Sequence, residues 1–515
     1  MYFSCQARSN TSNFKAIIMN RLNAHEMLDR IEHLRKSVEQ EASDTLKRWT
    51  REPGGVGDLP GARNLAAYLA LRHHDISDLQ PALADYGLST LGRSEAHVLG
   101  SLQALGATLA RIAGVSGHRY PAPGDRAGAE QAVRDAQSRF FGPQVIAART
   151  RIMVTLPSEA ATDQTLMRSL IEAGMTCARI NCAHDDAKMW QAMADMVRAE
   201  ATAAGVECRV LMDIAGPKCR IETVHAADKI RLFRGDRIAL VRDMAAAKAS
   251  DAVIATITFP DILASLQTGH TVWINDGKIG SRVISTGGGR VELDVFSART
   301  KGERLRPEKG VNFPDTELHL APLTPKDHAD LDIIASIADV VGFSFVQRPE
   351  DLRLLRDELA KRNTREKPLP IVMKIETPLA VRNLPRLIIQ GIATGPVAVM
   401  IARGDLAVEI GFARLSEIQE EIMWLCEAAH VPVIWATQVL DSLVSDGMPS
   451  RAEATDAAMA QRAECVMLNK GPFLPEGIRF LADILLRMDR HHAKNTARLG
   501  PLHSWPLSEL ALAPP

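Results

Sequence analysis

The sequence predicts an α/β protein: a (β/α)8 TIM barrel with an inserted small β-barrel lid domain and an all-helical N-terminal domain. Three observations predict it. From Arg151 onward, eight short apolar runs alternate with helical stretches. Such alternation builds βαβ units and a parallel sheet, and eight units close a barrel. Between the third and fourth runs lies a stretch of β-like alternation. Before Arg151 the apolar residues keep helical spacing instead.

In chain order, residues 1–18 read as a loose tail without the apolar core of a signal peptide, and Met19 offers a second start. The segment 19–140 reads as the helical domain. Leu22, Met27, Leu28, Ile31, Leu34 and Val38 line one face of a helix from about Asn20 to Arg48. Gly54-Gly55-Val56-Gly57 breaks it. A second helix carries Leu65, Tyr68, Leu69 and Leu71. A third runs from Leu91 to Ile112, with Ser94 as its N-cap. His73 and His74 are adjacent, so they do not share a helix face, and they read as solvated rather than metal-binding. Pro121 to Gly128 reads as a linker.

The barrel is expected over 149–217 and 310–490. Its runs are Ile152-Met153-Val154, Cys177 to Ile180, Val210 to Met212, Val340 to Phe343, Ile371 to Glu376, Val397 to Asp405, Val431 to Ile434 and Cys465 to Leu468. The insertion over 218–309 alternates at Lys229 to Leu232, Arg237 to Leu240, Val272 to Ile274 and Arg290 to Leu293. Asn275-Asp276-Gly277 and Gly287-Gly288-Gly289 are turn signals. No helix start follows the triple glycine, so it reads as a hairpin turn, not a phosphate loop. On a barrel loop, this domain is placed to act as a lid. Residues 491–515 read as a tail.

Formal net charge is -1, which gives no general attraction to nucleic acid or anionic membrane. Seven scattered cysteines make neither a disulfide scaffold nor a zinc ribbon, and a reducing cytoplasm fits best. No apolar run is long enough to span a bilayer.

Barrel enzymes keep their chemistry at the C-terminal strand ends. The polar residues there are Thr155, Asn181, Asp213, Ser344, Lys374, Glu376, Asp405, Thr437 and Asn469. Glu376 and Asp405 offer hard carboxylate oxygens suited to Mg2+ or Mn2+. Lys374 and Arg403 suit an anionic substrate beside that ion. The alternative is a salt-bridge network at the rim of the sheet.

Several stretches carry a family resemblance in order: Ala178 to His184, Met212 to Lys218, Lys309 to Pro314, Met373 to Glu376, Ala402 to Glu409, Ala436-Thr437-Gln438 and Ser450 to Glu453. From about Arg151 to Met488 the chain resembles pyruvate kinase. The resemblance implies phosphoryl transfer from phosphoenolpyruvate to ADP, in a cytoplasmic homo-oligomer. It implies Glu376 and Asp405 as metal ligands, and Lys374, Arg179 and Thr437 as catalytic residues. Gly404, Asp405, Arg179 and Thr437 would hold the substrate, and Asn181, His184, Arg220 and Lys309 the nucleotide or phosphates. The monovalent-cation region would be Asn181, Asp213 and Lys218. Family members that need potassium usually carry Glu where this chain has Lys218, so a potassium requirement is not expected.

The chain departs from the family pattern in four places. Thr155-Leu156-Pro157-Ser158 ends the first strand where the family has Gly-Pro after the Thr-Ile. Ala183 replaces a Ser ligand. Asn469-Lys470-Gly471-Pro472 stands where the family shows Ser-Gly-Glu-Thr. Restoring Ser at 469 and Glu at 471 together is therefore expected to raise turnover. No stretch resembles the family's C-terminal effector domain, and the helical domain lies outside the resemblance. Two other readings compete: a metal-dependent barrel aldolase or lyase acting on a 2-oxo acid, and a metabolite-binding pseudoenzyme of the same family.

Overall fold

A computed structural model describes residues 22–51, 59–122, 124–226, 230–248, 252–362, 366–494 and 496–498. The expected tail over 1–18, Met19, the glycine break at Gly54 to Gly57 and the tail beyond 498 lie outside them. The chain forms two compact units.

The first unit reaches Ala132 and includes Glu427–His430. Helix α1 (Ala24–Arg51) buries Met27, Leu28, Ile31, Leu34 and Val38, the stripe expected from their spacing. It packs against α2 (Pro60–His73) and α4 (Val98–Ala113); α3 (Leu79–Asp85) was not foreseen. Ser94 does not cap α4. Its hydroxyl donates to the Leu91 carbonyl at 2.7 Å, while the Val98 amide at the helix start donates to Asn64 Oδ1 at 2.9 Å. His73 is exposed, but His74 is not merely solvated, since its Nε2 lies 2.9 Å from Glu41 Oε1.

The stretch expected as a linker contains a helix start instead, with α5 spanning Asp125–Phe141. Its second half belongs to the second unit. There Phe140 and Phe141 join the core inside the barrel, with Met153, Leu211, Val372 and Cys465. Gln137 Nε2 donates to the carbonyls of Arg149 (2.9 Å) and Glu464 (2.7 Å), which precede two barrel strands. This second half of α5 therefore closes the N-terminal end of the barrel, opposite the chemistry.

The barrel closes in the order β1 (Arg151–Thr155), β2 (Cys177–Asn181), β3 (Arg209–Asp213), β11 (Val340–Phe343), β12 (Ile371–Ile375), β13 (Val397–Ala402), β14 (Val433–Ala436) and β15 (Cys465–Leu468), all parallel. Each strand is buried almost throughout, as a sheet covered on both faces requires. The seventh strand starts two residues later than expected, because Pro432 has no amide to give to a ladder. The sixth run ends at Ala402, and Arg403 opens helix α11 (Arg403–Ile410).

The insertion is a seven-stranded sheet over its own apolar core. Its strands are β4 (Ile221–Ala226), β5 (Arg237–Val241), β6 (Val253–Ile257), β7 (Thr271–Ile274), β8 (Ile279–Gly287), β9 (Arg290–Ser297) and β10 (Val311–Asn312). Both turn signals hold: Asn275, Asp276 and Gly277 take positive φ between β7 and β8, and Gly287–Gly289 do so between β8 and β9. The run at Lys229 to Leu232 is not a strand in the described residues, and Leu232 makes an isolated bridge to Glu303. After α15 (Leu474–Met488), a short hairpin of β16 (His492–Ala493) and β17 (Thr496–Ala497) occupies part of the expected tail.

Candidate active site

Register sets the site. Thr155 lies opposite Arg179, and Asn181 opposite Asp213, at the ends of β1, β2 and β3. Lys374 on β12 is buried, and a buried ammonium must be paired. Its Nζ donates to Ser344 Oγ at 2.7 Å and Asp213 Oδ2 at 3.1 Å, and lies 3.3 Å from Glu376 Oε1. Arg179 donates to the same Asp213 oxygen through Nε at 3.0 Å and through Nη2. Its Nη1 donates to Thr155 Oγ1 at 2.9 Å. One network thus joins the ends of β1, β2, β3, β11 and β12. Burial would push Asp213 up, but Lys374 and Arg179 outweigh it and hold the carboxyl below its ordinary range. Burial would lower Lys374, and Asp213 and Glu376 more than reverse that. The packing leaves no slack: a Cβ on Gly342 would stand 2.1 Å from Asp213 Oδ1, which is buried without a hydrogen-bond partner.

A second group forms where β13 meets α11. Lys218 Nζ lies 2.7 and 2.9 Å from the two oxygens of Asp405, so it is not a solvated hinge residue. Glu376 Oε2 accepts the Phe345 amide at 2.5 Å. The Gly404 amide donates to Thr437 Oγ1 at 2.7 Å, and that hydroxyl donates to the Ala436 carbonyl at 2.7 Å. Thr437 and Gln438 both take left-handed backbone, at φ 67° and 56°. For a β-branched Thr this is strained, by about 1–3 kcal/mol, and such strain gathers at functional sites.

Arg403 does not face this group as expected. Its guanidinium pairs with Asp456, donates to the carbonyls of Ala436 and Thr437, and stacks 4.8 Å over the Trp435 ring. Among the described residues, no hydrogen bond or ion pair joins Asn181, His184, Arg220 or Lys309 to the Lys374 network. Asn181 Oδ1 accepts the Ala183 amide at 3.2 Å, and Arg220 Nη1 donates to the Glu308 carbonyl at 2.9 Å. Burial, then Lys470 and Arg220, lowers the His184 imidazole below its usual range.

One buried polar pair beside this group was not singled out from the sequence. Asn312 Nδ2 on β10 donates to Glu409 Oε1 on α11 at 2.9 Å. Burial pushes Glu409 up to about 7, although the Asn312 bond works the other way. The two line a cavity of about 260 Å³ with Lys218, Phe345, Gln347 and Thr377.

Glu376 and Asp405 are the carboxylates that could hold a divalent ion. Burial raises Glu376, and Asp405 raises it further; two carboxylates sharing a pocket favour a cation between them. No group of three or more His, Cys, Asp or Glu gathers among the described residues. Magnesium is commonly held by one or two carboxylates, its other ligands being water and substrate phosphate.

Comparison with known proteins matches residues 147–472, more than half of the chain, to the family model "Pyruvate kinase, barrel domain". A pyruvate kinase of Hypocrea jecorina is 30% identical over 68% of this chain and 64% of its own length, so the match spans less than two thirds of that relative. One from Agrobacterium vitis is 31% identical over 67% of this chain and 70% of its own, and one from Methylorubrum extorquens 32% over 66% and 69%. The lid-bearing barrel, the charged strand ends and these matches together establish that the chain belongs to the pyruvate kinase family.

Proposed function

We propose that the chain transfers a phosphoryl group from phosphoenolpyruvate to ADP, giving pyruvate and ATP. The observation that carries this reading is the buried Lys374 ammonium held between Asp213, Ser344 and Glu376. Phosphoryl transfer needs chiefly positioned positive charge. Lys374 meets the charge that builds on the phosphoryl and enolate oxygens, and Arg179, braced by Thr155 and Asp213, clamps the phosphate. Gly404 and Asp405 lie in the first turn of α11, and their amides receive the substrate carboxylate once Thr437 releases Gly404. The Thr437 hydroxyl then faces the enolate carbon and helps its protonation. Asn181, His184, Arg220 and Lys309 take the nucleotide as the lid closes. Glu376 and Asp405 would hold magnesium or manganese, which when bound adds positive charge to the reacting oxygens.

A coupled assay with phosphoenolpyruvate, ADP and magnesium tests this, with ATP formed as the expected result. Glu376→Gln and Asp405→Asn should each lower the rate about 10²–10³-fold with unchanged circular dichroism. Wild-type-like rates in either variant at low magnesium would sink the assignment. The altered Asn469 to Pro472 loop favours a second reading, metabolite binding without turnover. Phosphoenolpyruvate binding with no ATP formed would select it.

A further inference from the structure

The lid carries a second cavity, of about 390 Å³, which phosphoryl transfer leaves unassigned. Only Lys309 is shared with the residues proposed for the nucleotide. Seven basic side chains line it against one carboxylate, Glu303. Five of the seven come from the eleven residues between Arg299 and Lys309.

The balance of charge within it is one-sided. Glu303 is already engaged by Asn275 Nδ2 at 3.2 Å and lies 3.8 Å from Arg299 Nε. Among the described residues Lys278, Lys301, Arg304, Arg306 and Lys309 form no ion pair, and Arg304 Nε is buried without a hydrogen-bond partner. Solvated surface cations normally spread apart; a concave wall that gathers them raises the local concentration of anions. The wall is also fixed in place. Glu303 exchanges two backbone hydrogen bonds with Leu232, at 2.8 and 3.0 Å, and Leu305 packs into the lid core. Arg231 Nη1 donates to the carbonyls of Lys301 (3.3 Å) and Gly302 (3.0 Å). Any Cβ at Gly302 would come within 2.8 Å of Arg231, so the loop needs glycine there.

We infer that this cavity binds a small anion carrying two or more phosphate groups. Guanidinium forks donate to phosphate oxygens in pairs, and ammonium groups add point charge. The volume suits a ligand of nucleotide or sugar-bisphosphate size. The site is a matter of binding alone, so its test needs no turnover.

The test is calorimetric titration of the full chain with inorganic tripolyphosphate, without magnesium. Saturable binding is expected. It should weaken about tenfold or more in Arg304→Gln/Arg306→Gln, the loss expected for charge-assisted bonds. Lys301→Gln/Arg306→Gln alters two exposed side chains, keeps the fold, and should weaken binding in the same direction. Arg179→Gln, at the barrel site, should leave it unchanged. Absence of saturable binding, undiminished binding in both double variants, or loss in Arg179→Gln would each overturn the site. Displacement of the probe by a nucleoside triphosphate or by a hexose bisphosphate supports it, and the more effective competitor identifies the source of the phosphates. Displacement by neither overturns it.

Discussion

At the scale of single residues, Lys218 bears on the proposed cation chemistry. Its ammonium rests on both Asp405 oxygens, at 2.7 and 2.9 Å, and so places one fixed positive charge beside a proposed metal ligand. An ammonium on a flexible stem can supply the charge that a monovalent ion would bring. Activity with magnesium should therefore be largely insensitive to potassium. Lys218→Glu should lower activity and make it respond to potassium. Strong potassium activation of the unaltered protein, measured against a bulky organic cation at equal ionic strength, would show this to be wrong. Lys374, Glu376 and Asp405 were legible in the sequence because charge ending a buried apolar run needs a partner or a use. Arg403 had the same signature and proved to be committed to Asp456, 53 residues later. The Asn312–Glu409 bond spans 97 residues, and no local pattern announces a contact of that kind.

At the scale of elements, the loop after β15 is shaped by packing as well as by chemistry. A Cβ at Gly471 would stand 2.4 Å from the Val444 carbonyl oxygen in α13 (Asp441–Asp446), and backbone cannot step aside. The double restoration at 469 and 471, expected to raise turnover, therefore meets a steric obstacle at 471. Gly471→Glu should destabilise the protein by about 1–3 kcal/mol, the usual cost of overpacking. Asn469→Ser, on a half-buried side chain, should shift stability by no more than about 0.5 kcal/mol and is the variant that tests proton relay. Thermal unfolding checks both, and a Gly471→Glu variant as stable as the parent would refute the packing argument. Barrel strands were legible because burial on both faces leaves continuous Val, Ile and Met runs. Strands β4 and β8 were not: β4 reads Ile-Glu-Thr-Val-His-Ala and β8 is broken by Ser, Thr and Gly. Nor was the role of α5, whose Phe140-Phe141 pair acts on strands distant in sequence.

Across the second unit as a whole, lid and barrel are tied at β10 and α11, and that tie titrates. Asn312, on β10 of the lid sheet, donates to Glu409, four residues beyond Asp405. Burial keeps Glu409 protonated up to about 7, with Asp405 and Asp315 adding to the rise and Asn312 and the Phe313 amide opposing it. Below about pH 4.5 the carboxyl is protonated in both folded and unfolded chains and contributes no pH dependence. Between about 4.5 and 7 the unfolded chain releases the proton while the folded one keeps it, so stability falls as pH rises. Above 7 both forms are ionised and the loss is complete, at most about 3 kcal/mol for a shift of this size. Glu409→Gln keeps the shape and an oxygen for Asn312 but cannot ionise. Its stability relative to the parent should therefore climb between pH 5 and 8 and then level off. Denaturant unfolding of both proteins across that range measures the difference. A difference that stays flat, or that falls with pH, would mean that Glu409 is ionised throughout and that the lid joint is insensitive to it.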